Sequence, residues 1–257
     1  MSGLMTQAYG RSTTGVRAAA IPPSLMVVVQ NVLAKAWRLL LDDVDKGCFS
    51  ICSSTEDQIT EHLYMILGEL DPAGDSAVPG LSQLQCVVRE GNVRNYNGTK
   101  LDKQPDLTYR PLRNQIPCRN SVTTAIFIEC KPVDAAHPLP STYCRDGLIR
   151  FVNGDYAWNV DRAMMVGYVR NICNLPGGLS TALDDAAVGS QVELVGKLKI
   201  LPNTALGDTV CESTHSRQFQ LPGTTKPFGE IIINHLWLKP AEPCEQTRCR
   251  DNSNSVV

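Results

Sequence analysis

Gln104-Pro105-Asp106-Leu107-Thr108-Tyr109 and Thr124-Ala125-Ile126-Phe127-Ile128-Glu129-Cys130-Lys131 are the stretches that decide the fold. Each reads as a short strand. The first opens on an acid after a proline, and the second ends on an acid and a lysine two residues apart. Strand side chains alternate between faces, so Glu129 and Lys131 point one way and Cys130 the other. If the two strands pair, Asp106 sits beside Glu129, and two carboxylates and an ammonium surround one small volume. Two acids that close repel unless a cation joins them. Mg²⁺ suits such a pair, because it takes one or two protein carboxylates and keeps waters or phosphate oxygens on its other positions.

Working outward, Leu84–Arg89 reads as a strand preceding these two, with a Gly- and Asn-containing turn or hairpin over Glu90–Lys103. Lys131-Pro132 is expected to end the strand Val122–Cys130, since proline has no N–H for a ladder. Residues 132–147 carry three prolines and read as a loop, and Leu148–Val152 as a short strand. Asp155–Ile172 reads as a helix with Trp158, Met165, Val166, Val169 and Ile172 on one face. A linker and a short helix follow Pro176-Gly177-Gly178. Val192–Leu201 and Phe228–Leu238 read as strands, with Cys211–Arg217 as a loop between them. His235 is expected to be a core histidine with satisfied hydrogen bonds.

Upstream, Ser53-Ser54-Thr55-Glu56 opens a helix over about residues 55–70, with Ile59, Leu63, Ile66, Leu67 and Leu70 on one face. Glu56 shares that face and Glu61 opposes it. Ser53-x-x-Glu56 also has the form of a capping box. Before it, Pro22-Pro23-Ser24 starts a helix over Leu25–Leu41. Gln30, Asn31, Lys35 and Arg38 interrupt its apolar run, which makes it a packed helix and not a membrane span.

The pair Pro105-Asp106 with Glu129-Cys130-Lys131 resembles the PD-(D/E)xK nuclease superfamily, over roughly Ser53 to Arg170. The resemblance implies an α/β fold. This would be a restriction-endonuclease-like αβββαβ core with a mixed central sheet flanked by helices, an N-terminal helix and extra C-terminal strands. The order helix, strand, strand, strand, helix, strand agrees with it. It implies a metal-dependent nuclease with Asp106, Glu129 and Lys131 catalytic. Asp106 and Glu129 would hold Mg²⁺ or Mn²⁺, with Glu56 as a further ligand, and DNA is favoured over RNA as substrate. A role in restriction, defence or repair and a homodimer that cuts two strands follow from the same resemblance. Arg113, Arg119, Arg162, His215 and Arg217 are candidates for backbone phosphate contacts, each with a plainer reading as a solvated or stem-packed side chain.

The composition sets wider bounds. The 257 residues are 43% hydrophobic and 19% charged, ordinary for a globular protein. They suit one domain over residues 21–239 between flexible tails at 1–20 and 240–257. The net charge of −2 carries no global basic field. Residues 86–131 nevertheless hold eight Lys/Arg against four acids, either a solvated face or a phosphate-tracking surface. The ten cysteines include no C-x-x-C, and the spacing reads as reduced thiols in a cytoplasmic protein. No acid precedes Asp42, a pattern shared with organellar transit peptides, although a frayed tail is the simpler account. Phosphate-binding P-loop, G-x-G-x-x-G and G-x-S-x-G patterns are absent. A catalytically silent nuclease-like fold, binding nucleic acid or protein, is the competing reading.

Overall fold

The computed structural model describes residues 18–74, 77–112, 115–116, 123–170, 175–242 and 244. Helix α1 spans Pro23–Asp45, with proline in its first turn where the missing N–H costs nothing. It buries Leu25, Val29, Leu33, Trp37 and Leu40. Helix α2 spans Glu56–Glu69 and buries Ile59, Leu63 and Leu67. Its cap lies two residues later than the Ser53 register. The Thr55 hydroxyl accepts from Gln58 N at 3.2 Å, and the Gln58 side chain accepts from Thr55 N at 2.8 Å. Thr55-x-x-Gln58 is therefore the capping box, which leaves the Glu56 carboxylate available for other partners.

The strands are β1 (Val88–Arg89), β2 (Leu107–Tyr109), β3 (Ile126–Val133), β4 (Arg162–Val169), β5 (Leu194–Leu201), β6 (Thr209–Arg217) and β7 (Gly229–Leu238). They form one seven-stranded mixed sheet in the order β1-β2-β3-β4-β7-β6-β5. β3, β4 and β7 run parallel, and the other neighbours are antiparallel. The architecture is α/β. Tyr168 on β4 stacks on Trp37 of α1 and bonds Thr60 of α2, whereas its neighbour Gly167 lies under Trp237, itself stacked on Tyr143. Successive residues of a strand face opposite sides. The two helices therefore cover one face, and the segment carrying Tyr143 covers the other. A Cβ on Gly167 would come within 2.5 Å of the Trp237 ring, so only glycine permits this approach.

Several expected elements are placed differently. Asp155–Ile172 is not a helix. Its centre is β4, buried on both faces between β3 and β7, so it lacks the alternation of a half-exposed strand. The crossover from β3 to β4 is made instead by a wide helical turn at Leu139–Leu148, with i→i+5 bonding, continued by α3 at Ile149–Val152. This replaces both the expected loop and the expected strand at 148–152. β3 also runs on through Pro132 to Val133. The Cys130 N–H points toward β2, and Pro132, two residues on, presents its nitrogen to the same side, where β2 has already ended. No ladder bond is lost there. Cys211–Arg217 is β6 and not a loop. Leu84–Arg89 pairs as a strand only at Val88–Arg89, so Cys86 lies outside it and is exposed. Helices α4 (Leu175–Asp184) and α5 (Ala186–Gln191) fill the linker before β5. The thiols are not all reduced: Cys52 and Cys244 form a disulfide.

His235 is a core histidine, and it belongs to a chain of buried polar groups. Tyr143 OH meets His235 Nδ1 at 2.9 Å, and His235 Nε2 meets Ser213 Oγ at 2.8 Å. Ser213 Oγ meets His215 Nε2 at 2.6 Å, and His215 Nδ1 meets the Val192 carbonyl at 2.7 Å. A carbonyl can only accept, so Nδ1 of His215 carries the proton. Neutral His215 then accepts from Ser213, Ser213 accepts from His235, and His235 accepts from Tyr143. A proton added to either ring would oppose two donors. Burial holds His215 down at about 4, and His235 lies well below its ordinary value for the same reason and because of His215. The unfolded chain therefore binds protons that the folded chain refuses between about pH 6.5 and pH 4. Stability is full above the unfolded value of 6.5 and falls as pH drops through this window, by a few kcal/mol. The raised carboxyls of Asp106 and Glu129 oppose this slope, so the loss is read as a difference: between pH 7.5 and pH 4.5 the wild-type urea midpoint should fall relative to that of His215→Gln. A difference between the two proteins that does not change with pH would mean that His215 is not buried neutral.

Candidate active site at the carboxyl end of the third strand

The register Leu107↔Ile128 places Asp106, one step before β2, across from Glu129. Here β2 ends, and the Asp106 side chain takes the place of the next ladder acceptor, its Oδ2 receiving Cys130 N at 2.6 Å. Glu129 is fully buried and Lys131 nearly so. Both lie toward the carboxyl end of parallel strands β3 and β4, the side of an open α/β sheet where ligands bind. Lys131 Nζ stands 3.0 Å from Glu129 Oε1 and 2.5 Å from Glu56 Oε1. The sheet and the first turn of α2 thus bring Asp106, Glu129, Lys131 and Glu56 together as expected from the sequence. Cys130 points to the opposite face and is buried against Tyr168.

Two further residues join them. Arg150 of α3 stands 3.0 Å from Glu129 Oε1, its side chain 39% exposed. Tyr156, in the turn after α3, donates its hydroxyl to Glu129 Oε2. Sequence reading missed both, because it made 148–152 a strand and 155–172 a helix. The signal was present in an arginine and a tyrosine flanking Asn153-Gly154-Asp155, a turn that ends a helix. Gly147 lets the helical crossover lie close, since a Cβ there would meet Lys131 Cγ at 3.2 Å and Met165 Cε at 2.8 Å.

Burial pushes the Asp106 carboxyl up to about 8, with the charge of Glu129 adding to it and Lys131 and the Cys130 N–H opposing it. Burial also raises Glu129, against the pull of Lys131, Arg150 and Tyr156. Burial alone would lower Lys131, but the charges of Glu129, Asp106 and Glu56 outweigh it and hold the ammonium charged. Glu129 Oε1 lies at ion-pair distance from two cations, yet neither N–H meets hydrogen-bond geometry there, so this buried oxygen has no hydrogen-bond partner. An orphaned carboxylate oxygen facing an acid with a raised pKa is a donor set a hard divalent cation could use. Among the described residues no three Asp, Glu, His or Cys side chains converge as a ready ligand cluster. Such an ion would have Asp106 and Glu129 as protein ligands and complete its shell with water.

The candidate phosphate contacts fare differently. Arg162 lies on β4, not on a helix, and its guanidinium is 3.0 Å from Glu212. His215 is in the buried chain described above. Arg217 is fully buried, donates to the carbonyls of Gly229, Ala157, Val160 and Glu230, and lies over Phe228. Burial brings its pKa down to about 10. None of the three can meet a substrate at this site. Arg113 and Arg119 lie outside the described residues. Of the other basic residues near this segment, Arg89 is paired with Glu61 and Glu90, and Lys103 with Asp155.

Removing one member of a buried ion pair leaves the other uncompensated, at a cost of about 3–5 kcal/mol. Lys131→Met should lower stability by that amount in urea denaturation at pH 7. Tyr156→Phe should cost about 1–3 kcal/mol by leaving Glu129 Oε2 unpartnered. A loss under about 1 kcal/mol for Lys131→Met would show that the cluster is solvated. Comparison with models of known protein families, with curated proteins and with solved structures returns no match.

Proposed function

We propose that this protein is a metal-dependent nuclease of the PD-(D/E)xK type, hydrolysing phosphodiester bonds, with DNA favoured over RNA. The observation that carries the reading is Asp106 set across from Glu129, with Lys131 two residues on, at the carboxyl end of β3. The order α2, β1, β2, β3, helical crossover, β4 supports the restriction-endonuclease-like αβββαβ assignment. Asp106 and Glu129 would hold Mg²⁺ or Mn²⁺, with Glu56 adjacent through Lys131. Bound there, such an ion acidifies a water and neutralises phosphate charge. Lys131 orients the attacking water or stabilises charge on the phosphate oxygens. Arg150, the most exposed cation of the group, would contact the phosphate, a role for which Arg162 was one candidate from sequence. Tyr156 holds Glu129 in place. A cytoplasmic role in restriction, defence or repair, acting on both strands as a homodimer, fits this chemistry.

One observation favours a second reading. Lys131 and Arg150 already neutralise Glu129, and Glu56 closes on Lys131. A silent nuclease-like fold that binds nucleic acid or protein could keep such a cluster for stability alone. The test is cleavage of plasmid, linear duplex, single-stranded DNA and RNA with Mg²⁺, Mn²⁺ or EDTA, beside Asp106→Asn and Lys131→Gln, each checked for folding by circular dichroism. Metal-dependent cutting reduced at least about 100-fold in both variants is expected. Cutting that persists in both would belong to a contaminant. A folded wild type that neither cuts nor binds Mg²⁺ by calorimetry would leave the silent reading.

A further inference from the structure

The lead-in to α2 is held by a clasp that the mechanism does not use. Cys52, an exposed residue three positions before the capping Thr55, is bonded to Cys244, beyond β7 and 192 residues away in sequence. Cys244 N donates to the Arg170 carbonyl at 2.9 Å. Arg170, buried just past β4, donates its guanidinium to the Ser54 carbonyl and stands 3.2 Å from Asp134 Oδ2. Asp134 itself accepts from Ala136 N and His137 N. Cys52, Ser54 and Thr55 are thus fixed from both sides within four residues of Glu56, whose carboxylate reaches Lys131 at 2.5 Å. Five other described cysteines, Cys48, Cys86, Cys130, Cys144 and Cys211, carry thiols. Among the described residues the Cys52–Cys244 bond is the only disulfide, and a disulfide with an exposed partner among free thiols is of the reducible and regulatory kind.

We infer that the Cys52–Cys244 disulfide is a redox-controlled positioning device for Glu56, closing the candidate active site when oxidised and loosening it when reduced by a dithiol. The step balances. One thiolate of the dithiol attacks the Cys52 sulfur, the S–S bond breaks, and Cys244 leaves and takes a proton. The second thiol then displaces Cys52, which also leaves as a thiol. The reductant departs as a disulfide, having delivered two electrons and two protons. Afterwards Ser54 keeps its bond to Arg170, but the covalent tie from α2 to the segment beyond β7 is gone. The first turn of α2, with Glu56, is then held by the Ser54–Arg170 bond, the Thr55–Gln58 box and its own packing, without a covalent tie. The inference rests on the nuclease reading only for its effect on turnover.

The test follows amide hydrogen exchange by mass spectrometry in the full chain, oxidised and after dithiothreitol. Reduction should speed exchange over residues 53–60 at least about tenfold and leave β6 and β7 unchanged. Cys52→Ser/Cys244→Ser should exchange fast there in both states, and Cys48→Ser/Cys86→Ser should respond like the wild type. If the double serine variant does not fold, the dithiol comparison on wild type stands alone. Equal exchange in the two states, or faster exchange throughout the sheet, overturns the inference. In the cleavage assay reduction should lower turnover about tenfold with KM within about twofold. Glu56→Gln should lower it alike in the oxidised protein and add nothing in the reduced one, since residues acting as a unit are not additive. Additive losses would overturn the route through Glu56. A protein that cuts nothing but shows the local exchange response keeps the device and loses the nuclease. One that cuts equally in both states, with exchange unchanged, loses only the device.

Discussion

A fully buried carboxylate is the constraint on which this molecule turns. Glu129 has no access to water, and a lone ion in such a place would neutralise or unfold the chain. Lys131 and Arg150 at 3.0 Å and the hydroxyl that Tyr156 donates to its second oxygen oppose that neutralisation. Each partner comes from a different element. Lys131 is on the same strand, Arg150 on the helical crossover, and Tyr156 in the turn after it. Satisfying one side chain therefore fixes β3, α3 and the approach to β4 against one another. The ion pair is a poor source of net stability, since desolvation offsets most of its attraction. Its effect is to make other arrangements of these elements costly.

The mixed sheet creates the space for this cluster. β2 is short and antiparallel to β3, and β3 continues beyond it in parallel with β4. The uncovered stretch of β3 has two donor positions on that side. The first is served by Asp106, and the second is Pro132, which has no donor to serve. The end of β2 thus becomes an acid-lined gap in which neither position of β3 leaves an unpaired N–H. Support reaches the site from farther off as well. Ala157, next to Tyr156, holds a positive φ of 56°. Arg217 accepts the cost of burial to bond the carbonyls of Ala157 and Val160. A residue that reads from sequence as a surface phosphate ligand is instead a strut behind the tyrosine that holds Glu129.

How much of this was legible depends on which signal each segment carried. The pairing of Asp106 with Glu129 follows from one assumption, that two strands meet, and the period of two then fixes which side chains share a face. β5 and β7 and helices α1 and α2 were legible because their patterns and starts are strong. β4 was not. Arg162–Val169 is buried on both faces, so no alternation marks it, and Ala163, Met164 and Met165 are as good in a helix as in a strand. That single misreading moved the crossover helix downstream and so removed Arg150 from view. The cap of α2 reads from sequence as Ser53-x-x-Glu56, but the box forms two residues on, at Thr55-x-x-Gln58. Only tertiary contact decides between them, because the second releases Glu56 to Lys131.

The same choice bears on what the cluster can do. Three carboxyl groups and two cations share the site, and the Asp106 carboxyl, pushed up to about 8, is largely protonated at neutral pH. With Asp106 neutral, two carboxyl groups, Glu56 and Glu129, face two cations, Lys131 and Arg150. A cluster matched in this way has little electrostatic demand for a further ion, yet it keeps two places where one would be favoured: the orphaned oxygen of Glu129 and the proton on Asp106. Admitting a divalent cation would replace that proton and require Lys131 to share Glu129. Glu56, one quarter exposed and attached to a separate helix, is the partner that can hold Lys131 when Glu129 is engaged elsewhere. The placement of α2 by its cap and its lead-in therefore sets whether Lys131 is held by Glu56 beside the other carboxyls or collapses onto them.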